Sequence, residues 1–241
     1  MSNERVMGFW DHLDELRKRI LRSLLFLVAG AVGGFLLADR VRDFLMEPFH
    51  QSVKGTLSLL SPSDGFVIEI KIALLLGTLI ASPFIAWQLY GFIGPALRSK
   101  EKRWLFPIAM IATLLFWGGV VFAWQILPAA LEFLGSFAEM GIQNFWSLRS
   151  YISLVLFLVI AFGVIFQLPL LMGVLMATGL VKSEFFRKNR RYAIVIIFIL
   201  SALATPTTDM LTMMLMVMPM IVLYEVAIIV GRIIERKRAA A

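Results

Sequence analysis

Apolar residues fall into six runs, at about 21–38, 70–93, 104–127, 151–180, 192–204 and 210–230, and charged residues concentrate between them. A helix needs about 20 apolar residues to cross about 30 Å of hydrocarbon, so the pattern predicts an all-α polytopic membrane protein with six transmembrane helices. The fifth run, Tyr192–Ala204, has only 13 residues. At about 1.5 Å per residue it reaches about 20 Å, so spans five and six are read as a short hairpin around Thr205-Pro206-Thr207-Thr208-Asp209. Ahead of span one, Trp10, Leu13, Leu16, Ile20 and Leu24 recur at helical spacing between Asp11, Asp14, Arg17 and Lys18, which predicts an amphipathic helix over Phe9–Arg22. Span one carries Gly30, Gly33 and Gly34, residues that permit close helix contact. Asp39–Phe66 reads as a polar outer loop, Pro83 interrupts span two, and Gln167-Leu168-Pro169 predicts a kink in span four.

Charge then orients the spans. Most Lys and Arg residues lie in four clusters, HLDELRKR, RSKEKR, KSEFFRKNRR and RIIERKR, and a pair of spans separates each cluster from the next. Basic residues near span ends stay on the cytoplasmic side, so both termini are expected inside and the amphipathic helix is cytoplasmic. The whole chain, 1–241, is read as one transmembrane domain without an internal repeat, and its first span as retained in the mature protein. A 60% hydrophobic composition and a mean hydropathy of +0.86 agree with a membrane protein. They also assign the +7 net charge to orientation and anionic lipid rather than to nucleic acid.

The chain has no cysteine, and its two histidines, His12 and His50, have no partner at zinc-site spacing. No phosphate loop, nucleophile with a base, or HExxH is present, so the sequence offers no catalytic centre and calls for no cofactor or metal. Candidate chemistry is acidic instead. Asp14, Glu15, Glu101 and Glu184 are isolated carboxylates among basic residues, suited to gripping guanidinium groups, although Glu15 with Arg19 and Asp14 with Lys18 also have the spacing of local ion pairs. Within or beside the spans, Glu69, Lys71, Asp209 and Glu225 are the ionisable candidates; the first two are read as interfacial. Six methionines between Met210 and Met220 are read as an adaptable packing surface rather than a copper path. A proton-coupled solute transporter using Glu225 and Asp209 is the rival reading; the missing inverted repeat and midplane charge cluster stand against it.

Several motifs coincide, in order along almost the whole chain, with one family. His12-Leu13-Asp14-Glu15-Leu16-Arg17-Lys18-Arg19, Ser82-Pro83 with Gln88, Gly94-Pro95-Ala96-Leu97 and Glu101-Lys102-Arg103 are followed by Phe162-Gly163 with Gln167 and Pro169. Arg190-Arg191-Tyr192, Thr205-Pro206 with Asp209, Pro219 and Leu223-Tyr224-Glu225 complete the series. The chain therefore resembles the TatC family of the twin-arginine protein translocase. The resemblance implies a concave, glove-like six-span bundle in the bacterial cytoplasmic membrane, with both ends cytoplasmic. It implies a receptor for signal peptides with two consecutive arginines, which exports folded proteins together with partner subunits and the proton motive force. It maps the arginine site onto Glu15 and Glu101, with Leu16, Arg17, Phe92, Pro95 and Arg103 in support. It also implies self-association and contact with single-span TatA and TatB partners near Thr205, Asp209, Met213, Gln167 and Glu225. Many members carry glutamine where Met213 stands and glutamate where Gln167 stands, so this chain departs from the pattern at both positions.

Overall fold

A computed structural model describes residues 9–53, 55–93, 105–136, 145–204 and 210–239. Its order is α1 (Phe9–Phe35), α2 (Ala38–Ser52), β1 (Thr56–Ser58), α3 (Asp64–Ile93), α4 (Leu105–Ser136), β2 (Phe145–Ser147), α5 (Leu148–Ile165), α6 (Leu168–Thr178), α7 (Ser183–Lys188), α8 (Arg190–Ala204) and α9 (Met210–Ala239). Four helical segments, Asp64–Phe92, Leu105–Ser136, Leu148–Thr178 and Met213–Ile233, are long and apolar enough to cross a membrane. A fifth candidate is the pair α1 and α2, bent by 85°. With 15 residues, α8 falls short of the usual crossing length.

The chain divides into two units, Met1–Arg42 with Phe66–Leu114, and Asp43–Gly65 with Leu115–Ala241. In the first, α1 and α3 run antiparallel, with contacts that follow one helix forward and the other backward. Phe26 stacks on Phe84 at 4.7 Å, then Gly30 meets Gly77, and Gly34 meets Ala73 and Leu76. A β-carbon on Gly77 would lie 2.6 Å from the Ala31 nitrogen, so the two backbones touch where the sequence places glycine. Gly33, grouped with its neighbours by sequence, faces open space. The helix continues through Pro83 rather than breaking there. Proline denies a donor to the Leu79 carbonyl, and the Ser82 hydroxyl supplies one at 2.8 Å. Arg42 pairs with Asp39 at 3.1 Å and with Glu69, so Glu69 has a specific partner that its position in the sequence did not disclose.

In the second unit the 39–66 region is not an irregular loop. Its first part is helix α2, whose Leu45 and Phe49 are buried at helical spacing, and its later part pairs β1 with β2 in parallel, Leu57 opposite Trp146. That sheet is a small departure from the all-α expectation. Phe49 packs edge-on to Trp146 and Tyr151, and the Tyr151 hydroxyl donates to the Leu45 carbonyl at 2.5 Å. Asp64 accepts from the Leu60 and Ser61 amides at 3.2 and 3.0 Å and pairs with Arg149 at 3.2 Å, closing the entry to α3. The predicted kink separates α5 from α6. The Gln167 amide nitrogen bonds back to Val164 instead of Gly163, and the Gln167 side chain donates to the Gly163 carbonyl at 3.5 Å. Gly179, at φ 80°, ends α6 in the left-handed conformation that favours glycine. Helices α6 and α9 share a core of Met172, Met176, Ala227 and Ile228.

Candidate functional site

His12, Glu15, Leu16 and Arg19 recur three or four residues apart and so form one stripe of α1; Gln88, Gly91 and Phe92 do the same on α3. The antiparallel pairing sets these stripes face to face. The His12 ring stacks on Phe92 at 4.2 Å and 21°. Further along α1, the Arg19 guanidinium donates to Glu15 Oε1 from Nε at 2.9 Å and from Nη2 at 2.6 Å, and from Nη1 to the Gln88 carbonyl at 3.3 Å. The Glu15 and Arg19 side chains are only 21% and 22% exposed. Gly91 leaves room for the Arg19 guanidinium, which a β-carbon there would push aside.

Arg19 uses one oxygen of Glu15. Glu15 Oε2 and Gln88 Oε1 are buried with no donor among the described residues. The i,i+4 ion pair anticipated from spacing is therefore present, yet it leaves half of the carboxylate unsatisfied. Of the other residues expected here, Phe92 joins the stacked wall, Leu16 is half-buried and Arg17 is exposed. Pro95, Glu101 and Arg103 lie outside the described residues. Sequence reasoning singled out Gln88 only as a motif residue and gave it no role; burial of an uncharged side chain on a long apolar helix leaves no periodic signal.

The second predicted cluster divides. Met213 is half-buried against Ile197, Val217 and Met220, in a group that includes Leu168, the residue after Gln167. Glu225 lies about 18 Å further along α9, where it pairs with Arg190 at 2.6 Å, while Tyr224 donates to the Phe186 carbonyl at 2.8 Å. Thr205 and Asp209 lie outside the described residues. A contact that sequence did not disclose sits nearby. The Glu235 carboxylate accepts the Ser183 amide at 2.6 Å and the Ser183 hydroxyl at 2.5 Å, tying the end of α9 to the start of α7.

Among the described residues no three His, Asp or Glu side chains gather as a metal site. Helices this long and apolar define the class as a helical membrane protein. Comparison with known proteins narrows that class. Residues 11–219 match the family described as Sec-independent protein translocase protein (TatC). The TatC protein of Aquifex aeolicus is 39% identical over 96% of this chain and 98% of its own length. That of Carboxydothermus hydrogenoformans is 32% identical over 97% and 96%. A crystal structure of the twin-arginine translocase receptor TatC, also 39% identical, superposes with a TM-score of 0.82 over 92% of this chain and 99% of that one. The chain belongs to the TatC family. It is a membrane-embedded protein-translocase subunit and not an enzyme, and this assignment displaces the solute-transporter reading.

Proposed function

We propose that this chain docks folded cargo proteins through signal peptides carrying two consecutive arginines, on the face where Glu15 already holds a guanidinium. That resident pairing with Arg19 is the observation that carries the reading, because Glu15 there holds one guanidinium and keeps its second oxygen without a donor among the described residues. Glu15 and Glu101 act as the two acceptors, with Leu16, Arg17, Phe92, Pro95 and Arg103 around them. The chain functions as one six-span domain, a glove-like bundle in a bacterial cytoplasmic membrane with both termini inside. TatA- and TatB-type subunits join near Thr205, Asp209, Met213, Gln167 and Glu225, further copies of the chain associate, and the proton motive force drives transport. At Gln167 and Met213 the contact cannot be acidic, so partner binding there uses neutral hydrogen bonding and thioether packing.

Binding of a labelled twin-arginine peptide to the purified protein tests this. Replacing both arginines by lysine, or introducing Glu101→Gln, abolishes binding, and Glu15→Gln weakens it, in protein that remains folded. Equal binding of the two peptides, or native affinity in Glu101→Gln, refutes the assignment.

A further inference from the structure

Gln88 is a buried polar residue of this face to which the receptor reading gives no task. Only 9% exposed, it belongs to the α3 stripe that faces Glu15, and its Oε1 is buried without a donor among the described residues. Glu15 Oε2 is in the same state. A buried acceptor loses its hydration and gains nothing until a donor arrives, which is why native structures hold few of them. Two such atoms, on residues bridged by one guanidinium, mark the place of a donor that comes from elsewhere. Arg19 does not fill it: the bonds from its Nε, Nη1 and Nη2 go to Glu15 Oε1 and the Gln88 backbone carbonyl, and neither orphaned oxygen receives one.

We propose that Gln88 Oε1 and Glu15 Oε2 together accept one guanidinium of the incoming peptide, and that Gln88 is the residue through which this seat distinguishes arginine from lysine. A guanidinium carries N–H donors on three nitrogens in one plane, so it reaches two separated acceptors through different nitrogens. An ammonium concentrates its donors on a single nitrogen; it answers the charge of Glu15 but does not span to the amide oxygen. Glu15 then contributes attraction common to both cations, and Gln88 contributes the selection by shape. This inference rests on the receptor reading above and assigns the selectivity of the same site.

The test uses full-length protein in nanodiscs with four synthetic peptides: twin-arginine, twin-lysine, and the two in which one arginine alone is replaced by lysine. Should the native protein bind twin-lysine as tightly as twin-arginine, the receptor reading itself falls and this inference with it. Given native discrimination, Gln88→Met weakens twin-arginine binding by about 10-fold to 100-fold, the worth of one hydrogen bond to a charged group. It also erases discrimination at one of the two arginine positions while leaving the other intact. Gln88→Glu keeps an acceptor oxygen in place and retains both discriminations. Undiminished discrimination at both positions in Gln88→Met, or its loss in Gln88→Glu, overturns the assignment of Gln88 while leaving the receptor reading standing. If Gln88→Met does not unfold cooperatively, Gln88→Asn, which withdraws the same oxygen by about one carbon–carbon bond in a polar side chain, is read by the same two outcomes.

Discussion

Removing the Glu235 carboxylate tests how the last turns of α9 are held. Lys182 precedes α7 without a side-chain cap, and Ser183, only 6% exposed, receives its acceptors from a residue 52 positions away. A charged hydrogen bond contributes about 1.5–3 kcal/mol. Two of them on a partly exposed carboxylate, discounted for screening, put Glu235→Ala at about 2 kcal/mol. If that energy anchors the helix end locally, amides over 228–239 exchange with solvent about 30-fold faster, since 1.4 kcal/mol is tenfold. Ser183→Ala keeps the amide donor and loses the hydroxyl, so about half of the energy and a rise of about fivefold are expected. The double variant exchanges no faster than Glu235→Ala alone, because both changes remove the same contact. Hydrogen exchange followed by mass spectrometry in detergent reads all three. A change below about threefold in Glu235→Ala, or additive effects in the double variant, refutes the reasoning.

Gly77→Ala inserts a methyl group 2.6 Å from the Ala31 nitrogen, where only backbone movement can relieve the overlap; a destabilisation of about 1–3 kcal/mol is expected in detergent unfolding, and a neutral outcome would show that the helices do not touch there. Tyr151→Phe removes the hydroxyl that donates to the Leu45 carbonyl in a buried aromatic cluster. It should cost about 1–3 kcal/mol in the same unfolding measurement, and native stability would refute that bond.

Long spans and the break in span four were legible because each rests on a local signal, whereas the interruption expected at Pro83 is absent from the continuous α3. Apolar length marked α3, α4, α5 with α6, and α9, and Gln167 with Pro169 marked the break between α5 and α6. The outer region was misread for a physical reason. Helix α2 intersperses Leu45 and Phe49 with Asp39, Arg40, Arg42, Asp43 and Glu47, so a polar average hides a 3.6-residue period. Three-residue strands such as β1 and β2 have no period to detect at all, and their pairing joins residues almost ninety positions apart. The same distance effect governs the site. Glu15 with Arg19 was visible at i,i+4, whereas Gln88 enters only when α3 folds back along α1, and no spacing rule connects it to Glu15.

The glycine contacts between α1 and α3 bear on how fast and how cleanly the seat works. Side chains that separate two helices sample rotamers, and each rotamer shifts the interhelical distance; at Gly30, Gly34 and Gly77 the backbones themselves are in contact, so that source of breathing is absent. The separation between the carboxylate of Glu15 and the amide of Gln88 is thus preorganised before a ligand arrives. A helix pair fixed in this way has little conformational entropy left to lose when a ligand binds, which leaves the ordering cost of the proposed seat to its side chains and to the peptide.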